Sequence, residues 1–271
     1  MGNGIAHVSA LTGFDTILMD IKDEFMERGL NTIRTNLERQ VKKEKISQSD
    51  MDGALKLIRT TTVNTDLSDC DLVVEAATEN QDIKLNIFKE LDQICKNEAI
   101  LASNTSSISI TKIASATNRQ NKVIGMHFMN PVPVMKLVEV VRGKKTDDNT
   151  VDKIKELSEN MGKIPVVCND SPGFVSNRIL APMINEAVFC LHEGVGTPEA
   201  IDSIMKLGMA HPMGPLTLAD LIGLDICLDI IKIIHHDFGD EKYRPCPLLE
   251  KMVAEGNLGR KSGKGFYNYN S

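Results

Sequence analysis

Two residues of this chain have the types and the spacing of an acid–base pair. His127 lies in Gly125-Met-His-Phe-Met-Asn-Pro131, and Glu139 follows twelve residues later in Leu137-Val-Glu-Val140. A histidine that moves protons needs a partner that fixes its tautomer, and a carboxylate on a neighbouring strand is the usual partner. The pair therefore indicates a general base and the residue that orients it, although a histidine in an apolar strand is also commonly a core residue.

Composition excludes several classes of protein. The 271 residues are 42% hydrophobic, which is enough for a packed core in one or two domains, and the net charge of −6 argues against nucleic acid or an anionic membrane as a partner. The six cysteines form no Cys-x-x-Cys pair and no metal-ligand cluster, so we expect reduced thiols and no metal. Without a signal peptide or an apolar run of about 18 residues, the expected location is cytoplasmic.

The order of apolar runs predicts the elements that must position the pair. Short apolar runs separated by helical segments are typical of an α/β domain with a parallel sheet covered on both faces; they are Phe14–Asp20, Asp71–Ala77, Ala99–Asn104 and Lys122–Phe128. From Ser171 onward only helices are predicted, over Asn177–Glu193, Thr197–Leu207, Pro215–His236 and Pro247–Glu255. We therefore expect two domains, 1–170 and 171–271, with the boundary at Asp170-Ser-Pro-Gly173.

The first twenty residues are similar to the later part of a dinucleotide-binding βαβ unit. A helix entered through Gly2 and Gly4 is followed by a strand that ends on Asp20, where a carboxylate would accept a hydrogen bond from a ribose 2′-hydroxyl. An ordinary flexible terminus could begin in the same way. Because the first strand and the first two glycines of Gly-x-Gly-x-x-Gly are missing, we expect a native start upstream of Met1, or else a compromised fold with weak cofactor binding.

The segment from Lys22 to Lys45 combines a helical apolar spacing with many basic residues. Phe25, Leu30, Ile33, Leu37 and Val41 recur near the helical period, and the basic residues among them are Arg34, Arg39, Lys42, Lys43 and Lys45. Such a face is either solvated or a cationic surface for a phosphate-bearing substrate, such as a coenzyme A thioester.

Six motifs together resemble the 3-hydroxyacyl-CoA dehydrogenase family, most closely its bacterial short-chain members. They run in family order along nearly the whole chain: Ala102–Ser107, Gly125–Pro131, Leu137–Val140, Ser171–Arg178, His211–Pro215 and Gly259–Tyr267. The resemblance implies a Rossmann-type NAD-binding domain, N-terminally truncated here, with a helical hairpin inserted at about residues 22–58. It also implies an all-helical C-terminal domain for the substrate and for the contact of a homodimer or a higher homo-oligomer.

The same resemblance implies the roles of individual residues. His127 would be the catalytic base, Glu139 its partner, and Ser106 and Asn177 the residues that bind the substrate oxygen. Contacts to NAD, with NADP possible, would come from Gly2, Asp20, Glu79, Lys84, Ser106, Asn130 and Lys261. Glu79 before Asn80 could instead mark only the start of a helix. Coenzyme A would be bound by Lys43 and by Asn36, which stands where relatives can have a serine.

The implied function is the interconversion of (S)-3-hydroxybutyryl-CoA and acetoacetyl-CoA by hydride transfer. The alternative is a catalytically weak or inactive relative that binds coenzyme A or nucleotide, which the missing first strand favours. Retention of His127, Glu139, Ser106 and Asn177 favours the enzyme, because a structural protein has no physical reason to keep an ionisable pair aimed at a cleft.

Overall fold

The chain divides into two compact units, the first Met1–Asp170 and the second beginning at Ser171. This computed structural model describes residues 1–269. Within those residues, no helix combines the length and the apolar character that crossing a membrane requires.

Two groups of strands form the sheets of the first unit. Its strands within the described residues are β1 (Thr16–Met19), β2 (Ile58–Thr61), β3 (Leu72–Glu75), β4 (Ile100–Ser103), β5 (Val123–Phe128), β6 (Leu137–Arg142) and β7 (Ile164–Asn169). β1 and β2 form a two-stranded sheet, and β3-β4-β5-β6-β7 form a five-stranded sheet in that order. β1 and β3, which belong to different sheets, are therefore each paired on one side only within residues 1–269.

The predicted parallel sheet is confirmed, with one antiparallel ladder. All the pairings are parallel except that of β5 with β6, which is antiparallel. The cause is the length of the connection, because residues 129–136 are too few for the crossover of about a dozen residues that parallel neighbours need. The reversal places residues near the end of β5 opposite residues near the start of β6.

The helices of the first unit include the predicted hairpin segment. They are α1 (Gly2–Leu11), α2 (Asp23–Lys42), α3 (Gln48–Lys56), α4 (Gln81–Ile94), α5 (Ile110–Ala114) and α6 (Asp148–Asn160). Ser47 and Asp50 form a capping box at the start of α3, which fixes the turn after α2. The apolar faces of α1, α2 and α3 meet in one buried cluster: Ala6, Ala10, Ile33, Leu37, Met51 and Ala54.

The central strands are buried on both faces, as their continuous apolar sequence requires. Every residue of β4 and β5 is buried. Helix-covered parallel strands lose the alternation of apolar and polar residues for this reason. Polar side chains in these strands are therefore exceptional, and His127 and Ser103 are among the few.

The second unit is built from helices around a core of its own. They are α7 (Ser176–His192), α8 (Pro198–Gly208), α9 (Pro215–Ile222), α10 (Leu224–Phe238) and α11 (Pro247–Ala254). The single helix predicted over Pro215–His236 is wrong, because Gly223 adopts a φ of 107° and ends α9 before α10 begins. Glycine has no Cβ and takes this conformation without the steric cost of other residues.

Candidate active site

His127 and Glu139 face each other across two antiparallel strands. The register of β5 and β6 places the two residues directly opposite one another, and the imidazole Nδ1 lies 2.8 Å from the carboxylate Oε2. Both side chains are buried, with exposures of 7% and 4%. An ionised carboxylate only accepts hydrogen bonds, so Nδ1 carries the hydrogen and Nε2 is the nitrogen suited to exchange a proton.

The strand neighbours of this pair pack into the core on the opposite face of the sheet, since successive side chains of a strand alternate between its faces. Met126 and Phe128 on β5, and Val138 and Val140 on β6, are at most 2% exposed and belong to one apolar cluster. A hydrogen bond between buried polar groups is stronger than one in water, and a buried group left without a partner costs more. The contact between His127 and Glu139 therefore fixes the ring orientation firmly.

Glu79, between β3 and α4, holds the turn that follows β4. Its Oε1 accepts hydrogen bonds from the Thr105 hydroxyl at 2.6 Å, from the Ser106 amide at 2.9 Å, and from the Ser107 amide and hydroxyl at 3.0 and 2.8 Å. Burial acts most strongly and raises the pKa of Glu79, but the Thr105 hydroxyl, the Lys84 charge and the Ser107 and Ser106 donors together leave that pKa below its ordinary value. The ionised carboxylate thus fixes the backbone on both sides of the Ser106 side chain.

Asn104 connects the same turn to the strand of His127. Its amide donates to the Glu75 carbonyl at 2.8 Å, and its side-chain oxygen accepts from the Phe128 amide at 2.9 Å. Phe128 directly follows His127, so the turn that carries Ser106 and the end of β5 are bonded to each other. The structure thereby brings Ser106 and His127 to the same edge of the sheet.

A buried ion pair lies beneath this turn. The Lys84 ammonium is 2.8 Å from both carboxylate oxygens of Glu75, and the two residues are 1% and 6% exposed. The same ammonium is 3.6 Å from Glu79 Oε2. Lys84, predicted from the family resemblance to touch the dinucleotide, therefore lies in the interior behind Glu79. Asn80 caps α4 by accepting from the Ile83 amide, so the helix-start interpretation of this segment also holds.

The start of α1 and the end of β1 provide the groups expected to bind a dinucleotide. Gly2 is the first residue of α1, and a Cβ built on it would lie 3.8 Å from the Ala76 Cβ, just beyond the end of β3. Amides at a helix start attract anions such as a pyrophosphate. Asp20 directly follows β1, is exposed, and accepts a hydrogen bond from the Ile21 amide. The helix start suits the pyrophosphate of a dinucleotide, and the exposed carboxylate at the strand end suits its adenosine ribose.

Asn130 is exposed in residues 129–136, which connect β5 to β6. Lys163 supports this segment from within, because its ammonium donates to the carbonyls of Val132 at 2.5 Å and Met135 at 2.9 Å. Lys163 is 8% exposed, and burial lowers its pKa. Asn130 is therefore presented by a segment that is anchored to the sheet.

The residues expected to bind coenzyme A lie on the outer side of α2. Asn36 belongs to an open groove along this helix, whose lining is Glu24, Glu27, Arg28, Asn31, Thr32, Thr35, Asn36 and Arg39. Lys43 is exposed at the end of α2. The groove contains both signs of charge, and the basic residues become more frequent toward the end of the helix.

Two predicted site residues belong to the second unit. Asn177 lies in the first turn of α7, and Lys261 forms a 2.5 Å contact with Asp225 of α10. Partial burial acts to raise the pKa of Asp225, but the hydrogen bond from Lys261 and further donors hold it below its usual value. Asp220 fixes the segment that carries Lys261, since its carboxylate accepts from the amides of Phe266 and Tyr267.

Sequence reasoning did not find Glu75, Asn104, Thr105 and Ser107 as parts of the site. Glu75 had a detectable signal, because it ends a buried strand in Asp71-Leu-Val-Val-Glu-Ala-Ala77, as Asp20 ends an earlier one. Ligands of open α/β sheets bind at the carboxyl ends of the strands. The bonds made by Asn104, Thr105 and Ser107 had no comparable signal, since they depend on a turn whose shape emerges only in the folded chain.

Two family descriptions match the chain over nearly its whole length. Residues 1–171 match "3-hydroxyacyl-CoA dehydrogenase, NAD binding domain", and residues 173–269 match "3-hydroxyacyl-CoA dehydrogenase, C-terminal domain". The probable 3-hydroxybutyryl-CoA dehydrogenase of Deinococcus radiodurans is 58% identical over 269 residues, which are 99% of this chain and 96% of the relative. The 3-hydroxybutyryl-CoA dehydrogenase of Bradyrhizobium diazoefficiens is 54% identical over 99% of this chain and 92% of its own.

A solved structure also resembles this one throughout. The crystal structure of (S)-3-hydroxybutyryl-CoA dehydrogenase from Ralstonia eutropha has a TM-score of 0.97 and 50% sequence identity, covering 100% of this chain and 96% of that chain. The similarity thus extends over both units.

Proposed function

The chain belongs to the 3-hydroxyacyl-CoA dehydrogenase family, and from that premise we propose how its own residues carry out the reaction. It is an NAD-dependent oxidoreductase that interconverts (S)-3-hydroxybutyryl-CoA and acetoacetyl-CoA. The observation that carries the mechanism is the buried contact between His127 Nδ1 and Glu139 Oε2, formed at the strand ends beside the Ser106 turn.

His127 is the general base in the oxidative direction. With Glu139 accepting the hydrogen of Nδ1, the lone pair of Nε2 takes the proton of the substrate 3-hydroxyl as the C3–O bond becomes a carbonyl. NAD, when bound, would supply the acceptor for the hydride that leaves C3. In the reductive direction the imidazolium returns the proton to the forming alkoxide, and the carboxylate of Glu139 stabilises that imidazolium.

Ser106 and Asn177 bind the oxygen on C3. A hydroxyl and an amide both donate hydrogen bonds, so they polarise the carbonyl and stabilise the charge that develops on its oxygen. Glu79 supports this role for Ser106, because its four hydrogen bonds hold the backbone of the Thr105–Ser107 turn.

The dinucleotide is bound by the residues that the family resemblance assigns to it. The start of α1 at Gly2 receives the pyrophosphate, Asp20 accepts hydrogen bonds from the adenosine ribose, and Glu79, Lys84, Ser106, Asn130 and Lys261 complete the set. Lys84 contributes its positive charge, from a buried position behind Glu79.

Coenzyme A is bound through the outer side of α2. Lys43 is exposed at the helix end and pairs with a phosphate, and Asn36 in the groove along the helix contributes a polar contact. The acyl end then extends from α2 toward His127 and Ser106.

The direct test measures NADH oxidation with acetoacetyl-CoA. The chain should consume both substrates in equal amounts and form (S)-3-hydroxybutyryl-CoA, identified by chiral chromatography. Binding of both substrates without turnover would establish the alternative, a relative that binds nucleotide and coenzyme A but does not catalyse.

Self-association through the second unit completes the proposal. Several large apolar side chains of α7 and α8 are well exposed, with Leu207 at 86%, Ile179 at 65% and Ile204 at 64%. Exposed apolar surface of this kind is typical of an interface. In sedimentation, the chain should form a dimer that Ile204→Glu with Leu207→Glu converts to a monomer, whereas Val63→Glu in the first unit should leave it dimeric. A monomeric unmodified chain would contradict this.

A further inference from the structure

Glu75 is a buried carboxylate that accepts four hydrogen bonds. Its two oxygens accept from the Lys84 ammonium twice at 2.8 Å, from the Ser103 hydroxyl at 2.8 Å, and from the Ala77 amide at 2.7 Å. The residue is 6% exposed, and it pairs with Ser103 in the register of β3 and β4. A buried carboxylate with a full set of donors is held in one position.

Two series of contacts connect Glu75 to the turn that presents Ser106. Through Lys84, 3.6 Å from Glu79 Oε2, Glu75 is linked to the carboxylate that binds the Ser106 and Ser107 amides. Through Ser103, whose Oγ accepts from the Thr105 amide at 3.2 Å, it is linked to the start of the same turn. One series therefore reaches the amides of Ser106 and Ser107, and the other reaches the Thr105 amide directly before Ser106.

The charges in this cluster make the arrangement dependent on Glu75. One ammonium serves two carboxylates, and Glu75 binds it with both oxygens while Glu79 stands at the longer distance. Without the charge of Glu75, Lys84 would be drawn toward Glu79, its remaining carboxylate, because attraction between charges is strong in the interior. Glu79 would then move relative to the donors of the turn.

We propose that Glu75 is a positioning residue for the reaction: it sets the place of Ser106 by two routes, one through Lys84 and Glu79 and the other through Ser103. Glu75 touches neither substrate. The inference rests on the proposed function, since it assumes that Ser106 acts at the reaction centre. Loss of the Glu75 charge should slow the chemical step, because a displacement of about 1 Å of a catalytic group can cost roughly 10²-fold in rate.

The test compares Glu75→Gln with the unmodified chain in NADH oxidation by acetoacetyl-CoA. Glutamine keeps the size of the side chain but removes the charge that holds Lys84. The kcat should fall by about 10²-fold, while KM for the coenzyme A thioester, bound on α2, stays within a few-fold. Glu98→Gln is the matched control, because it makes the same change at an exposed position of the same unit and should leave kcat and KM unchanged.

A double variant, Glu75→Gln with Lys84→Met, separates positioning from stability. Replacing both members of the buried ion pair removes its two charges together, so the melting temperature should stay near that of the unmodified chain, or recover toward it if the single variant is unstable. The kcat should stay low, because Glu79 has then lost its cation. Recovery of both melting temperature and kcat would overturn the inference, and so would a normal kcat in Glu75→Gln. An unmodified chain that binds both substrates and does not turn them over would instead overturn the proposed function, and the inference with it.

Discussion

At the scale of single residues, the proton path depends on the orientation of one ring. Glu139 lies opposite His127 in the β5–β6 ladder, and their buried side chains meet at 2.8 Å. Because the backbone register fixes both ends of the contact, the ring cannot rotate without breaking a buried hydrogen bond, which costs about 1–3 kcal/mol.

Loss of this pair should affect turnover much more than binding. His127→Gln should lower kcat by about 10²–10⁴-fold, the range for loss of a general base, and Glu139→Gln by less, because a base remains but its orientation is weakened. Steady-state kinetics should show KM values near those of the unmodified chain. A near-normal kcat in His127→Gln, with the fold intact by circular dichroism, would rule out the mechanism.

Asp20 should determine the choice of dinucleotide. An exposed carboxylate accepts hydrogen bonds from a ribose 2′-hydroxyl but repels a 2′-phosphate, so kcat/KM should favour NADH over NADPH by at least about tenfold. Lys22, two residues away, softens the repulsion and pairs with Glu24 at 3.7 Å.

The corresponding variant is Asp20→Asn, which should reduce that preference by raising kcat/KM for NADPH. Asp15→Asn makes the same change at an exposed position just before β1 and should leave the preference unaltered. A clear preference of the unmodified chain for NADPH would remove Asp20 from its proposed role.

At the scale of elements, α2 has two faces with different functions. Ile33 and Leu37 are at most 1% exposed and pack against α1 and α3, so the inner face holds the hairpin in place. The outer face has no such packing and carries the basic side chains of the helix. Changes on the outer face should therefore alter binding without altering the fold.

Lys43→Glu at the end of α2 should raise KM for acetoacetyl-CoA and leave KM for NADH nearly unchanged. An exposed ionic contact is worth up to ~1 kcal/mol, so the increase should be several-fold, and it should shrink at high salt. Lys153→Glu on α6 reverses a charge elsewhere in the same unit and is the control. Equal increases of both KM values would indicate a folding defect instead.

At the scale of the whole molecule, an unusual buried histidine links pH to stability. His7 of α1 is 1% exposed, its Nε2 lies 3.0 Å from Gln40 Nε2 of α2, and no partner among the described residues reaches its Nδ1. Burial, and to a lesser extent the charge of Lys163, lower the pKa of His7 to about 4. The folded protein therefore keeps His7 neutral where an unfolded chain would protonate it.

Stability should fall on acidification between pH 6.5, the ordinary value, and about pH 4. In that range the unfolded state binds a proton at His7 that the folded state does not bind. The resulting loss of free energy of unfolding levels off below pH 4 at roughly 3 kcal/mol. Thermal unfolding at pH 7.5, 6 and 4.5 measures this loss, and His7→Gln should lose less stability over the same interval. Identical pH dependence in the two proteins would show that His7 is not responsible.

The sequence by itself determined the classes of element and the identity of the chemical pair. Continuous apolar runs identified the buried strands, the helical spacing of Ile33 and Leu37 identified α2, and six motifs identified the family. These properties are local, because an apolar period or a motif is read from neighbouring residues without knowledge of the rest of the fold. His127 and Glu139 could be linked in the same way, as strand residues on either side of a short connection.

Only the tertiary structure decided which way β6 runs, where the long helix of the second unit divides, and what Glu75 binds. β6 runs antiparallel to β5 because the connection between them is too short for a crossover. The long helix divides because Gly223 has a positive φ. The contacts of Glu75 join β3, β4 and α4, whose residues are distant in sequence. A hydrogen bond between such residues exists only after packing has set the spacing of the elements, and no local pattern encodes that spacing.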